Sequence, residues 1–539
     1  YVGYSSSSTD LFISACSIAL SIALNSPLLR RTADAFFKEI SPFLLHLGMF
    51  VPTLVGQCTP EQQAHWLPRA LDMQIIGTYA QTELGHGTFI RGLETTATYD
   101  PESEEFVLNS PTLTSYKWWA GGLGKTVNYC IVVAQLHTKG VCHGTHPFIV
   151  QIRDEGTHMP LPGIKVGEIG PKMGFSSADN GFLAFQNYRI PRENMMMKHA
   201  EVLKDGTYVK VARHGKLTYG TMVFVRVILV QEVAFNLAKA CTISVRYSAV
   251  RRQSEKKPGE PECQILDYVT QQHKLFICIA TAHALQLASG WLWTKFSAVL
   301  ADMRGGNTDS LPEFHALSSC LKAISTSDSA ALIEQCRLAC GGHGYISSSG
   351  LPQLYSFVTA TRTYEGDYTV LLLQTARYLV KAWEQAEEGK PMTCTVKYFE
   401  QSLKNTKTAW DSSPEGIIRA FQSVAQYVIL RAMEEHVVQL FIMYNITLRF
   451  NLQYSSISED DIVALQQRYE ELLALIRPNA VGLVDAFDLR DELLHSALGS
   501  YDGRVYERLM EEALKTPLNA EPVNKTFHKY LKPLMQGKL

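Results

Sequence analysis

Four short segments of the sequence contain residues that could bind a ligand or move a proton. Glu365 lies in the segment 361–367, just before an apolar run that is typical of a helix. A glutamate in that position commonly serves as a first-turn charge favoured by the helix dipole. A carboxylate can also act as a general base when burial raises its pKa. The residues alone leave both roles open.

Two glycine-containing segments lie earlier in the chain, at 78–88 and 117–125. In the first, Gln81, Thr82 and backbone amides near two glycines can hydrogen-bond a planar heterocycle. In the second, paired tryptophans supply flat apolar walls, and Gly121 lets backbone approach a ligand closely. Each segment could instead be a turn covered by core side chains. The glycine spacing of the second differs from that of a Walker phosphate loop.

A third glycine-rich segment, 340–345, follows an apolar helical run. Gly341 and Gly342 could end that helix, or they could admit a cofactor at its end. A lone His343 is more often structural than a ligand or a base.

The composition is that of a globular protein with several domains. The chain has 539 residues, of which 46% are apolar and 19% are charged, and this length predicts about two to four domains. A formal net charge of −2 gives no field that would attract nucleic acid. Eleven cysteines without a CxxC pair predict neither a disulfide framework nor a metal site.

The elements that position these segments are predicted in the order helices, strands, helices. The predicted fold class is α+β, mainly α. Its parts are an N-terminal helical domain (1–77), a central β-barrel-like domain (78–205), a helical bundle (206–385), a linker (386–412) and an extra C-terminal helical domain (413–539).

Periodicity predicts individual elements within these domains. Thr59 and Gln62 form a capping box at a helix start. Residues 95–108 are predicted as a β-hairpin. Further predicted strands are 128–136, 147–153 and 181–189, and further predicted helices are 216–252, 264–303, 313–340 and 368–378.

An uncharged stretch at 11–29 has the length of a membrane span. Ser14, Ser17, Ser21 and Asn25 recur in it every three or four residues, which places a polar stripe on one helix face. We therefore predict a packed helix here and no membrane span. Because the sequence opens at Tyr1 without an initiator Met, we expect a piece of chain to precede it.

Five motifs, taken in order along the chain, resemble those of peroxisomal acyl-CoA oxidases. They are TYAQTELGHGT at 78–88, RGLETTATY at 91–99, KWWAGGLGK at 117–125, CGGHGY at 340–345 and TYEGD at 363–367. Each motif alone is a weak to moderate signal, whereas the ordered set is a strong one. The resemblance extends from about residue 47 to the C-terminus.

The resemblance implies roles for the candidate residues near the flavin ring. Glu365 falls on the family's catalytic base. Thr82 and Gly121 fall on flavin-contacting positions, with Gln81 and Trp119 as neighbours. The backbone N–H of Glu365 and a flavin hydroxyl would stabilise the substrate carbonyl oxygen.

The resemblance also implies residues at the other end of the cofactor. Arg251 matches an arginine that in related flavoenzymes reaches the FAD pyrophosphate of the other subunit. Gly341 and Gly342 match the loop near the adenosine end. Tyr368 departs from the family, which usually has Asn at this position. This departure bears on the geometry beside the flavin.

The activity implied by the resemblance is FAD-dependent α,β-dehydrogenation of an acyl-CoA to a trans-2-enoyl-CoA, with O₂ reduced to H₂O₂. This reaction is the first step of peroxisomal fatty-acid β-oxidation. A homodimer, or a heterodimer with a paralogue, in the peroxisomal matrix is implied. The tail 537–539 shares its last two residues with Ser-Lys-Leu import signals. Substrates in this family range from straight-chain thioesters to the sugar-bearing thioesters of nematode ascaroside synthesis, and the sequence does not choose among them.

Two alternatives remain open at this point. The first is an acyl-CoA dehydrogenase that uses an electron-transfer flavoprotein, against which the roughly 125 residues beyond the linker argue. The second is a catalytically weak partner subunit that binds CoA thioesters, which the change at Tyr368 favours.

Overall fold

The structure, a computed structural model, describes the chain in eight stretches. These are residues 43–210, 220–304, 307–402, 413–416, 418–419, 459–519, 521–523 and 526–536. The uncharged stretch 11–29 and the tail 537–539 lie outside the described residues, as does the part 403–412 of the predicted linker.

By internal contacts the chain forms two compact units. Unit 1 comprises Tyr1–Gln231, Ser289–Ser327 and Thr359–Ser455. Unit 2 comprises Glu232–Ala288, Asp328–Val358 and Ser456–Leu539. The domain boundaries drawn from the sequence stay predictions.

Unit 1 begins with two helices, α1 (Val51–Gln57) and α2 (Pro60–Leu71). Thr59 caps α2, because its hydroxyl accepts from the N–H of Gln62 at 3.3 Å and its own N–H donates to the Gln62 side chain at 3.1 Å. This reciprocal pair confirms the predicted capping box.

Strands follow the helices and form three sheets. The largest has the order β1-β5-β2-β3-β9, with β6 also paired to β5; the others are β4-β8-β7 and β10-β11. The strands are β1 (Gly77–Ala80), β2 (Thr96–Asp100), β3 (Glu105–Asn109), β4 (Lys117–Trp118), β5 (Tyr129–Thr138), β6 (Val141–Gln151), β7 (Ile164–Glu168), β8 (Gly181–Phe185), β9 (Tyr188–Pro191), β10 (Ala200–Val202) and β11 (Tyr208–Lys210).

The two larger sheets share one apolar core. Phe106 and Phe148 of the six-stranded sheet and Leu183 of the three-stranded sheet belong to the same buried cluster. The rings of Phe106 and Phe148 meet edge to face, with centroids 5.1 Å apart. This packing fixes β4, and therefore the segment that follows it, against the larger sheet.

The strand predictions are confirmed with one correction. The predicted hairpin is β2 paired with β3, from Thr96 opposite Asn109 to Asp100 opposite Glu105. The predicted strand 181–189 is wrong as a single element. Asn187 has a φ of +47°, which an extended strand cannot contain. The chain therefore turns there, and β8 and β9 belong to different sheets.

Long helices make up the rest of the described chain. They are α3 (Gly220–Val250), α4 (Val269–Arg304), α5 (Leu311–Ala339), α6 (Leu351–Thr361), α7 (Tyr368–Glu387), α8 (Tyr398–Ser402), α9 (Glu459–Ile476), α10 (Ala480–Asp485), α11 (Asp491–Leu494), α12 (Val505–Leu514) and α13 (Lys532–Met535). The predicted helices near α3, α4, α5 and α7 are confirmed, and α7 extends beyond its predicted end. With its strands between helical regions, the fold confirms the predicted α+β, mainly α, class.

Helix α4 contains the one segment of the described chain, Val269–Met303, that is long and apolar enough to cross a membrane by length and composition. A core helix of a soluble protein can meet the same criteria of length and composition. Leu275 and Ile279 of α4 lie in the core of unit 2, and Leu292 and Phe296 lie in a core of unit 1. Packing of these side chains accounts for part of the apolar character of α4.

Candidate active site

Glu365 occupies a turn between α6 and α7 whose backbone is in the left-handed region. Its φ is +57°, and that of Gly366 is +104°. A non-glycine residue held there typically costs about 1–3 kcal/mol, so the surroundings must enforce it. The cap of α7 is Asp367, whose carboxylate accepts from the N–H of Thr369 at 2.9 Å. Asp367, not Glu365, therefore fills the helix-capping role.

Two buried cations hold the backbone of this turn. Lys322 of α5 donates through Nζ to the carbonyl oxygens of Tyr364 at 2.7 Å and Gly366 at 2.6 Å. Arg226 of α3 donates through Nε to the carbonyl oxygen of Glu365 at 3.3 Å. Lys322 is completely buried and Arg226 nearly so. Three successive carbonyls are thus bound by positive charge, which holds the turn in its strained conformation.

The electrostatics of the turn suit a base. Burial raises the pKa of Glu365, and the charges of Arg226 and Lys322 partly oppose this rise. Burial lowers the pKa of Lys322 to about 8, which the charge of Glu365 opposes. His315 lies 3.3 Å from Arg226, and burial together with that cation lowers the pKa of His315 to about 4. The imidazole is therefore neutral near neutral pH.

Tyr79 connects this turn to the first glycine-containing segment. Burial, and after it the charge of Glu365, raises the pKa of Tyr79, so the two side chains are electrostatic neighbours. The hydroxyl of Tyr79 donates to Oε1 of Gln81 at 3.1 Å. Residues 79–82 and the turn at Glu365 therefore lie together in unit 1.

A buried ion pair joins the first glycine-containing segment to the second. Lys117 Nζ lies 2.9 Å from a carboxylate oxygen of Glu83, and neither side chain has any exposed surface. Lys117 also donates to the carbonyl of Gln81 at 3.2 Å. The carbonyl of Thr82 accepts from the N–H of Trp118 at 3.0 Å. The backbone at Gln81 and Thr82 is therefore fixed against β4.

Trp119 and Gly121 continue from β4. Trp119 has a φ of +78°, and 54% of its surface is exposed. Its carbonyl accepts from Nδ2 of Asn180 at 2.5 Å. The carbonyl of Gly121 accepts from the hydroxyl of Thr78 at 2.8 Å. The structure thus brings Gln81, Trp119 and Gly121 into one neighbourhood.

This neighbourhood fits a flavin. Oδ1 of Asn180 is buried and has no hydrogen-bond partner in the part of the chain that is described, so it can accept from a ligand N–H or hydroxyl. A Cβ placed on Gly121 would lie 3.9 Å from the same amide, so the orphaned group adjoins that glycine. The exposed indole of Trp119 offers a flat apolar face to a ring system. No group of three metal-ligating side chains occurs among the described residues.

The remaining predicted site residues lie in unit 2, close to one another. Tyr247 donates to, or accepts from, Nδ1 of His343 at 3.0 Å. Burial raises the pKa of Tyr247, and the nearby charge of Arg251 opposes that rise. Gly341 and Gly342 are exposed, and a Cβ on either would meet no atom within 4 Å. Arg251 and the glycine turn are therefore neighbours of Tyr247, with space beside the glycines for a ligand.

Several residues of the site could not be assigned from the motifs. Lys322 and Arg226 each stand as a single charge in an apolar or small-residue helical run. Buried charges are rare unless they are paired or functional, so each of these isolated charges was a usable signal. Tyr79, Glu83 and Lys117 lie inside the conspicuous motifs, but nothing in the sequence shows what their side chains contact.

Comparison with protein families gives three matches. The acyl-coenzyme A oxidase N-terminal model matches residues 19–76, the acyl-CoA oxidase C-alpha1 domain model matches 219–380, and the acyl-CoA oxidase model matches 376–536. Among curated relatives, acyl-coenzyme A oxidase 1 of Drosophila melanogaster is 46% identical over 94% of this chain and 85% of its own. Peroxisomal acyl-coenzyme A oxidase 1 of Bos taurus is 48% identical over 93% and 86%.

Solved structures give the same result. Arabidopsis thaliana acyl-CoA oxidase 1 superposes with a TM-score of 0.90 at 37% identity, covering 99% of this chain and 91% of that chain. Caenorhabditis elegans acyl-CoA oxidase-2, bound with FAD, ascaroside-CoA and ATP, superposes with a TM-score of 0.85 at 39% identity, covering 92% and 83%.

Proposed function

The chain belongs to the acyl-CoA oxidase family, and we propose that Glu365 is the base with which it starts the oxidation of its substrate. The enzyme is an FAD-dependent acyl-CoA oxidase, which converts an acyl-CoA to a trans-2-enoyl-CoA and reduces O₂ to H₂O₂. This is the first step of peroxisomal fatty-acid β-oxidation. When bound, FAD accepts the β-hydride and passes the electrons to O₂.

The observation that carries the assignment is the environment of Glu365. Its carboxylate combines a raised pKa with a backbone fixed by Lys322 and Arg226. A base that takes the α-proton of a thioester works best when its pKa lies nearer the operating pH than that of an ordinary carboxylate. A fixed turn also keeps the carboxylate in one orientation, which lowers the entropic part of the barrier.

The residues around the base would hold the flavin and the substrate. We assign Gln81, Thr82, Trp119 and Gly121 to the ring end of FAD. Their backbone is held by the Lys117 pair and the neighbouring bonds, which supports a preorganised surface.

We assign Arg251, Gly341 and Gly342 to the pyrophosphate and adenosine end. The guanidinium of Arg251 and the open glycine turn both lie near Tyr247, and a guanidinium has the chemistry to bind phosphate oxygens. The N–H of Glu365 has no acceptor among the described residues, which suits a donor to the thioester oxygen.

We propose a homodimer as the working form. Exposed small or apolar residues recur along α4 at the spacing of one helix face: Ile277, Ala280, Ala284, Leu287, Trp291 and Ala298. Such a stripe is a face that a second subunit can cover. A heterodimer with a paralogue would use the same face.

The compartment is the peroxisome, which is also named for the curated relatives from guinea pig and human. Within the peroxisome, we propose that the enzyme lies in the matrix. We propose CoA thioesters as substrates, with sugar-bearing thioesters among the candidates, since one similar oxidase is seen with ascaroside-CoA. A peroxide-coupled assay across acyl-CoAs of different length and head group will identify the preferred class.

Substitution of the base tests the proposal. We expect Glu365→Gln to keep bound flavin and to lose turnover by about 10²–10⁴-fold, because a general base contributes about that much. Peroxide release from a saturating acyl-CoA is the measurement. Glu384→Gln, an exposed glutamate of α7, is the control and should stay near wild type. Near wild-type peroxide release from Glu365→Gln would reject the assignment.

A further inference from the structure

We propose that Lys322 is a positioning residue: it orients and polarises the peptide between Tyr364 and Glu365, so that the N–H of Glu365 can stabilise negative charge on the substrate thioester oxygen. This inference rests on the proposed role of Glu365. It assigns to a buried lysine, outside every recognised motif, a part in forming the enolate-like state.

The orientation follows from the geometry of the peptide. Lys322 Nζ lies 2.7 Å from the carbonyl oxygen of Tyr364. The described chain has no cis peptide bonds. In a trans peptide the C=O and the following N–H point in opposite directions within one plane. The N–H of Glu365 therefore points away from the ammonium, and none of the described residues accepts a hydrogen bond from it.

The polarisation follows from the charge. A hydrogen bond from an ammonium to a carbonyl is stronger than a neutral one, and it withdraws electron density from the peptide. The N–H on the opposite side of that peptide then becomes a better donor. The second bond of Lys322, to the carbonyl of Gly366 at 2.6 Å, fixes the turn on the other side of Glu365. The charge therefore acts through the backbone and does not touch the substrate.

A purely structural account of Lys322 is less satisfactory. Its ammonium is completely buried, and within the described part of the chain it lies within 4.0 Å of no carboxylate oxygen. Burying a cation is unfavourable, and an apolar side chain of the same volume commonly gives equal or better stability. A lysine bonded to the two carbonyls that flank Glu365 is therefore better explained by the chemistry at that residue.

Enolisation of a bound 3-oxoacyl-CoA measures this property separately from turnover. Such a ligand has an acidic α-proton, and its enolate absorbs differently from the keto form. The holoenzyme is titrated with the ligand at fixed pH, and the enolate fraction is read by absorbance. We expect Lys322→Met to reduce the keto-to-enolate equilibrium constant by at least about 10-fold. We expect kcat to fall by at least about 10-fold, with KM changed by less than about threefold; the fall should be smaller than the roughly 10²–10³-fold loss on removal of a donor, because the N–H of Glu365 is retained.

Two further variants serve as a control and as a second test of Lys322. Lys239→Met removes another nearly buried lysine, in unit 2, and should leave the enolate fraction and kcat within about twofold of wild type. Lys322→Arg keeps the charge but places a longer, forked cation, and we expect an enolate equilibrium between those of Lys322→Met and wild type. If Lys322→Met does not yield a folded holoenzyme, the enolate equilibrium is measured on Lys322→Arg instead. Wild-type enolisation in whichever Lys322 variant is measured would overturn the inference.

The Glu365→Gln variant separates this inference from the proposed function. It keeps the backbone N–H, so it should lose turnover and retain the enolate equilibrium. If Glu365→Gln turns over normally, the assignment of the base fails. If Glu365→Gln is inactive while Lys322→Met enolises the ligand like wild type, only the role of Lys322 fails.

Discussion

At the residue scale, burial and positive charge act in opposite directions on Glu365. Burial has the larger effect and raises its pKa above the ordinary value of 4.5, while Arg226 and Lys322 lower it. A base works only when it is deprotonated. We therefore expect kcat/KM to fall as the pH drops through this raised pKa, with an acid limb above pH 4.5. A limb at or below that pH, measured over a pH series, would contradict the assignment.

Removal of Lys322 should shift the pH dependence of the reaction in a defined direction. Lys322 lowers the pKa of Glu365, so Lys322→Met should move the acid limb of kcat/KM to higher pH. The measurement is a pH series of kcat/KM on both enzymes. Lys239→Met, whose lysine lies in unit 2, is the control and should keep the wild-type limb. An unchanged limb in Lys322→Met would mean that its charge does not act on the carboxylate.

The residues of the site differ in how far the sequence could predict them. Glu365 was predictable from its motif, whereas the motif did not show that Asp367 is the residue that caps α7. Lys322 lies 42 residues before Tyr364, and Arg226 lies 139 residues before Glu365. Their contacts depend on helix packing, which single-sequence periodicity does not specify. The structure leaves the effect of Tyr368, beyond its place at the start of α7, unexplained.

At the scale of elements, the pair Glu83–Lys117 holds together the two segments that we propose to contact the flavin. Both side chains are fully buried, and Glu83 also accepts from the N–H and the hydroxyl of Thr95. Removal of one partner leaves an uncompensated buried charge. The stability of the sheet region and the affinity for FAD should therefore depend on the same pair.

We expect Glu83→Gln to lower the free energy of unfolding by about 3–5 kcal/mol and to weaken FAD retention. Denaturant midpoints and flavin absorbance after gel filtration are the measurements. Glu471→Gln breaks an exposed pair with Arg468 and should barely move the midpoint. If Glu83→Gln lowered the denaturant midpoint and the bound flavin no more than Glu471→Gln does, the pair would not be essential to the stability of these segments.

The helices were predictable where the apolar periodicity extended over a long stretch of sequence. Helices α3, α4 and α5 follow extended apolar runs, and their bounds lie within a few residues of the predictions. Helix α6 was not predicted, because its segment is rich in aromatic and β-branched residues that favour strands. Leu351 and Val358 of α6 pack into the core of unit 2, and that tertiary contact overrides the local preference.

At the scale of the whole molecule, the C-terminal helices are part of a core and not an appendage. Leu473, Val484 and Leu494 lie in the main cluster of unit 2. Arg246 of α3 forms ion pairs with Asp485 at 2.8 Å and Asp491 at 3.3 Å. The described helices beyond residue 459, which belong to the segment that argued against a dehydrogenase, therefore contribute to the core of unit 2.

The proposed dimer gives a test of assembly. We expect Leu287→Glu, which places a charge on the most exposed apolar side chain of α4, to shift a dimer towards monomer, because the charge would have to be desolvated. Light scattering after size exclusion measures this. The FAD content of the monomer should fall if Arg251 contacts the cofactor of the other subunit. Val141→Glu, at a hairpin tip, is the control. A stable Leu287→Glu dimer would exclude this face as the interface.

The most direct measurement is anaerobic reduction of bound FAD by a saturating acyl-CoA, followed at the flavin absorbance bands in a stopped-flow instrument. It isolates the step in which we propose that Glu365 acts from the later reaction with O₂. We expect rapid bleaching in the wild type and in Glu384→Gln, and a rate at least about 10²-fold lower in Glu365→Gln with its flavin still bound. Bleaching of Glu365→Gln at the wild-type rate would contradict the central claim that this carboxylate takes the α-proton.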